Sequence, residues 1–130
     1  MNISAQKNNI TAVVSFQGSL EKLNSCLQAL NTWIPQIIVV LPENNDIEKK
    51  ITSKFNVSVC FQKASSSKSN WESGLNQTNT PWALLIRSNE IVTGKLRQAI
   101  TEKIKTDGGK AYKYLLPLTM VFLKKRLKYP

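Results

Sequence analysis

The segment from Trp82 to Glu90, W-A-L-L-I-R-S-N-E, ends an apolar run in four polar residues, Arg87, Ser88, Asn89 and Glu90. A buried parallel strand delivers side chains into a cleft at its carboxyl end in this way. Arg87 brings a fixed positive charge that can neutralise an anionic group, while Glu90 is the one carboxylate of the tip. Three other strand-like runs end in polar groups of their own. The first offers Phe16, Gln17 and Gly18, the second Leu41, Pro42, Glu43 and Asn44, and the third Gln62 and Lys63. This set is short of paired carboxylates. The chain holds no histidine, which removes the commonest general base, the usual zinc ligand and every Ser–His or Cys–His nucleophile. Cys26 and Cys60 lack metal-type spacing and read as small buried residues. Neither a Gly-x-Gly-x-x-Gly fingerprint nor a Walker-type loop is present, so dinucleotide and P-loop chemistry are not indicated.

The elements that must position these groups follow from hydrophobic periodicity. Ile10–Phe16 (I-T-A-V-V-S-F) is β-branched and apolar and reads as a strand. Leu20, Leu23, Leu27 and Leu30 recur at helical spacing behind Ser19, a natural N-cap. Gln36–Leu41 is nearly all apolar, as expected for a strand covered on both faces. Asn45 with Glu48 resembles a capping box before Ile47, Ile51 and Phe55. Val57–Phe61 reads as a third strand, and Lys63–Lys68 as a polar loop. Ser69 with Glu72 resembles a second capping box, opening a helix to about Thr78. Trp82–Ile86 is the fourth strand. A helix from Gly94 carries Leu96, Ile100 and Ile104 on one face, until Asp107-Gly108-Gly109 ends it. Tyr112–Leu127 reads as one or two further strands. Strands alternating with helices predict an α/β fold with a mostly parallel sheet, right-handed crossovers and helices on both faces.

The length of 130 residues suits one domain spanning residues 1–130, with residues 1–9 flexible. A hydrophobic content of 42% argues for a packed core. No apolar run is long enough to span a bilayer, and the amino-terminal residues lack an apolar leader core, so a cytoplasmic location is expected. Eighteen Lys and Arg stand against eight Asp and Glu, a net charge of +10. An anionic partner fits that excess as well as a solvated basic surface does.

The order of these segments resembles the amino-terminal, nucleotide-binding part of family 2 glycosyltransferases, within the branch of lipopolysaccharide-core glucosyltransferases. I-T-A-V-V-S-F matches the opening strand, and L-E-K-L-N-S-C-L-Q-A-L the first helix. I-I-V-V-L-P-E-N-N-D matches the family's second strand and its acidic tip. W-E-S-G-L-N-Q-T-N-T-P-W-A-L-L-I-R-S-N-E matches a helix, a small turn and the strand that ends, in the family, in Asp-Ala-Asp-Glu. F-L-K-K-R-L-K-Y resembles a later aromatic, basic stretch. The resemblance implies the GT-A (Rossmann-like) architecture of nucleotide-diphospho-sugar transferases. It makes Phe16, Gln17, Glu43, Asp46, Lys63, Arg87, Ser88, Asn89 and Glu90 the candidate residues for binding a nucleotide sugar. A lipid-linked or saccharide acceptor would be the second substrate.

The departures from the family pattern are chemical. The two carboxylates of the Asp-x-Asp pair, which hold a divalent metal in the family, stand as Arg87 and Asn89 here, with Glu90 retained. The base-contacting Asp of the second strand is Leu41, and the later Asp of that motif is Asp46, equally suited to stabilising a helix start. Hard divalent cations want anionic oxygen ligands, so no manganese or magnesium site of the family type, and no other cofactor, is expected. The catalytic residues stay unassigned, because Ala111–Pro130 supplies no carboxylate and acceptor deprotonation needs a base. The expectation is therefore a transferase-like domain that is degenerate or incomplete, with Arg87, assisted by Lys63, as a replacement for the metal in any active form. Two other readings stand beside it. One is a basic module for nucleic acid, disfavoured by the lack of any RNA-recognition or helix-turn-helix pattern. The other is peripheral membrane or subunit docking through Val121–Lys128, against an ordinary edge strand guarded by lysines.

Overall fold

A computed structural model describes residues 10–42, 46–61, 67–78, 80–106, 113–115 and 121–124. Along the chain the elements are β1 (Ile10–Ser15), α1 (Leu20–Asn31), β2 (Gln36–Leu41), α2 (Ile47–Thr52), β3 (Ser58–Phe61), α3 (Ser67–Leu75), β4 (Trp82–Arg87), α4 (Gly94–Thr106), β5 (Lys113–Leu115) and β6 (Val121–Lys124). The strands form one sheet in the order β3-β2-β1-β4-β6-β5. The first four are parallel to their neighbours, with Val14 level with Val39 on one side and Ile86 on the other. The late segment supplies an antiparallel pair, β6 running against β4 and β5 against β6. The expected α/β fold with a mostly parallel sheet is what the chain adopts.

The period of two along each strand builds two cores. Ile10, Ala12 and Val14 of β1 join Ile37, Val39 and Leu41 of β2 and Trp82, Leu84 and Ile86 of β4 on one face. Leu23, Cys26, Leu27 and Leu30 of α1, Ile51 of α2 and Ile100 of α4 cover that face. Val13, Ile38, Val40, Cys60, Ala83 and Leu85 point the other way, against Trp71 and Leu75 of α3. Burial on both faces explains why β1, β2 and β4 are almost continuously apolar instead of alternating.

Local signals set the element ends. Ser19 takes the extended backbone of an N-cap and its Oγ accepts the Lys22 N–H at 3.2 Å. Gly18 holds φ of 84°, a left-handed value that lets the chain turn from β1 into α1. The start of α2 differs from the expected Asn45–Glu48 box. Asp46 occupies the N-cap with no side-chain cap bond, because its backbone is already helical (φ −72°, ψ −9°) and keeps the carboxylate away from the first N–H groups. Strand β3 begins one residue later than expected, since Val57 N–H is held by the Phe55 carbonyl at 3.1 Å. Helix α3 starts at Ser67, ahead of the expected Ser69 cap, and ends at Leu75. Backbone bonds of Asn76, Gln77 and Thr78 then carry the turn to the expected boundary. The expectations for residues 1–9, for Asp107–Gly109 and for the polar loop up to residue 66 lie outside the described residues, as do Lys125–Lys128 of the proposed docking segment.

Candidate functional site

Helices α1 and α2 carry the chain from β1 through β2 to β3 across one face. Helix α3 then returns it across the other face to β4, on the far side of β1. The order reverses between β1 and β4, so their paired carboxyl ends form a topological switch point, the general ligand position in open α/β sheets. The residues there are Phe16, Gln17 and Gly18 after β1, and Arg87 to Glu90 closing β4.

A set of short hydrogen bonds ties the two tips together. Ser88 N–H donates to the Ser15 carbonyl at 2.9 Å, extending the β1–β4 ladder. Ser88 Oγ accepts the Gln17 N–H at 2.6 Å and donates to the Gln17 carbonyl at 2.7 Å. Phe16 N–H reaches the Val40 carbonyl at 3.1 Å, which holds β2 in the same frame. Ser88 is fully buried, so its hydroxyl serves the join between strands. Glu90 is also buried. Its Oε1 accepts the Arg87 N–H at 3.0 Å, and its own N–H donates to the Arg87 carbonyl at 3.0 Å, a reciprocal closure of the turn. The Glu90 charge lies near Cys26 of α1. Burial first, and that carboxylate second, push the Cys26 thiol up to about 12.

Arg87 leaves the tip on the α3 side. Its Cζ sits 5.3 Å from the centroid of the Trp71 ring, within the range of a cation–π contact. Trp71 is itself fixed, for its Nε1–H donates to the Ile86 carbonyl at 3.1 Å and the residue is 8% exposed. Gly74, one turn further along α3, makes this approach feasible: a Cβ there would overlap Val13 Cγ1. Ser15, level with Arg87 across the ladder, is fully buried, and its Oγ has no hydrogen-bond partner. Asn89 is exposed on the α1 side, where it lines a hollow of about 350 Å³ with Glu21, Lys22, Ser25 and Ile91.

The structure thus brings Phe16, Gln17, Arg87, Ser88, Asn89 and Glu90 to the joined carboxyl ends of β1 and β4, with Arg87 on the α3 side and Asn89 on the α1 side. Asp46 is exposed at the start of α2, beyond the tip of β2. Glu43 and Lys63 lie outside the described residues. Glu21, Lys22 and Ser25 were not singled out from sequence. The signal available was their place in the first turns of the helix that follows β1. A second cleft, of about 400 Å³, lies at the opposite edge between Pro35–Ile37, Asn56–Ser58 and Thr80. It opens at the amino ends of the strands and is remote from the crevice.

The donors at the tip of β4 do not fit the family's metal. A hard dication takes about six oxygen ligands, several of them anionic. The tip offers a guanidinium, an amide and a carboxylate turned onto its own backbone, and among the described residues no three His, Cys, Asp or Glu side chains converge. What the arrangement can do is hold an anion, through a guanidinium of fixed charge and orientation.

No protein-family model matches the chain, and a search of curated proteins also finds no match. Among solved structures, the fold is similar to that of S. aureus TarS residues 1–349, a glycosyltransferase, with a TM-score of 0.52 at 17% sequence identity. The likeness covers 73% of this chain and 32% of the TarS chain, so this protein spans about a third of its structural neighbour. The architecture is therefore a glycosyltransferase-like α/β fold with Rossmann-like topology. Among the described residues, no helix is long and apolar enough to cross a membrane.

Proposed function

We propose that the chain is a glycosyltransferase-like domain that keeps a nucleotide-sugar cleft between β1 and β4 and seats the donor's diphosphate on Arg87, with no metal. The observation that carries the reading is the Arg87 guanidinium over the Trp71 ring at the switch point. It stands where the resemblance puts a metal-binding carboxylate. A guanidinium supplies bidentate charge-assisted hydrogen bonds to phosphate oxygens, and its charge offsets the negative charge of a diphosphate leaving group. The fold-level likeness to TarS supports the same class of ligand. The finer assignments belong to this proposal: family 2, the lipopolysaccharide-core branch, a lipid-linked or saccharide acceptor and work in the cytoplasm. So does degeneracy. Glu90, the retained carboxylate of the motif, is committed to the Arg87 turn, and the reading assigns no catalytic base.

The test is calorimetric titration of the chain with UDP, GDP and dTDP, each with manganese and with a chelator. Binding of at least one nucleotide in chelator, markedly weakened on Arg87→Ala, is the expected result. Absence of binding in every condition, or binding that requires manganese, overturns the reading.

A further inference from the structure

Two of the contacts of Arg87 bear on the site, and the second is not part of any expected motif. Its backbone is fixed by Glu90 Oε1 on the Arg87 N–H. Its side chain lies over the ring of Trp71, a residue of another element that is 15 positions away from Ile86, to whose carbonyl its indole N–H is bonded. A long arginine side chain loses rotamer entropy when it is ordered on a ligand, and a guanidinium already held over an aromatic ring has lost part of it beforehand. Trp71 has few ways to move. The Ile86 bond fixes the indole edge, and Val13, Val40, Ala83 and Leu85 share its cluster. The close seat of α3 at Gly74 fixes the helix that carries it.

We propose that Trp71 is a positioning residue for Arg87: it holds the guanidinium in place at the β1–β4 crevice, so that a diphosphate group meets a preorganised cation there. The inference rests on the reading of Arg87 as the diphosphate seat. It adds that the cation's orientation is set by α3, from the opposite side of the crevice to the α1 hollow. The metal of the family would be placed by its own ligands, whereas an arginine in its stead needs a platform, and Trp71 is that platform. This gives a purpose to an indole whose N–H is spent on a β4 carbonyl next to the arginine.

The experiment combines side-chain NMR with calorimetry on the full chain, using inorganic pyrophosphate in chelator as the probe. The variants are Trp71→Leu, Trp71→Phe, Arg87→Ala and the pair Trp71→Leu with Arg87→Ala. In the wild type, the Arg87 Nε–H resonance is expected to be ring-shifted and slow to exchange with water. Trp71→Leu should remove the ring shift, speed the exchange and weaken pyrophosphate binding by roughly 2- to 30-fold. In the Arg87→Ala background the same substitution should have no further effect, which a loosened fold would not reproduce. Trp71→Phe, which keeps an aromatic face and most of the volume, should retain part of the shift, and it keeps the test open if the leucine variant does not fold. An Arg87 resonance indifferent to both substitutions overturns the inference, as does an equal loss of binding in both backgrounds. A Trp71-dependent Arg87 signal in a chain that binds no pyrophosphate supports the positioning role and removes the diphosphate reading instead.

Discussion

In the proposed reading Arg87 and Asn89 decide the chemistry at the end of β4, because the resemblance places a metal-binding carboxylate at each position. Replacing them as Arg87→Asp with Asn89→Asp should create manganese binding detectable by calorimetry or paramagnetic relaxation, since Asn89 is exposed and Arg87 emerges from the end of β4. No gain of manganese affinity in a folded double variant would show that the tip does not carry the geometry the resemblance implies. Cys26 gives a second prediction. Its thiol is fully buried and pushed up to about 12, by burial and then by Glu90. An unfolded cysteine loses its proton near pH ~8.5, so between that value and the folded one the native state holds the extra proton and stability falls as pH rises. By about pH 10.5 this group costs roughly 3 kcal/mol. Urea titrations at neutral and alkaline pH should therefore show a smaller alkaline loss for Cys26→Ala than for the wild type. In the native chain at neutral pH, Cys26 should resist thiol reagents until the chain is unfolded.

Helix α3 has nine residues and covers its face of the parallel strands close up, and the glycine in its last turn sets that distance. An alanine at Gly74 would meet Val13 Cγ1, with Val40 Cγ2 at 3.4 Å and Ile38 Cγ2 at 3.6 Å. The helix would gain up to about 1 kcal/mol in propensity, but overpacking against strand side chains costs about 1–3 kcal/mol, so a net loss is expected. Chemical denaturation of Gly74→Ala measures it, and an unchanged or raised midpoint would mean that α3 can lift at no cost. Trp71 lies one turn away on the same face, so the displaced helix should also carry the indole off Arg87. Element ends show where sequence patterns are sufficient and where they are not. Ser19 is an extended N-cap with a satisfied bond, as its sequence context predicts. At α2 the N-cap is Asp46, whose helical backbone leaves its side chain without a cap bond, while Asn45 of the candidate box lies outside the described residues.

At the scale of the whole molecule, the sheet joins four parallel strands to an antiparallel pair, and the crevice follows from where the chain reverses. Because β4 is laid beside β1, Gln17 and Ser88, 71 residues apart in sequence, share a pair of hydrogen bonds. The proposed nucleotide binding belongs to this scale, for the site proposed for it is built from both tips. It should be metal-independent and fall with Arg87→Ala, as the titration above measures. The likeness to TarS is also a property of the whole chain path, since 17% identity leaves little to read position by position.

The strands and helices were legible because burial on two sheet faces imposes near-continuous apolar runs, and burial on one helix face imposes a repeat of three and four. Both are local consequences of backbone geometry. The tip residues Arg87 to Glu90 were legible for the same reason, as the point where a buried run stops. Local pattern does not determine which side chain of that tip faces a ligand and which serves the fold. Ser88 and Glu90 carry groups as polar as those of Arg87 and Asn89, yet they are turned inward by partners at Gln17 and within the turn itself. Trp71 is a core residue, and only the crossover of α3 brings its ring under Arg87. Strand order, and with it the switch point, is fixed by long-range pairing between segments that carry no mark of their neighbours. By itself the sequence determined the elements and the chemistry on offer; the tertiary structure decided which of those groups meet.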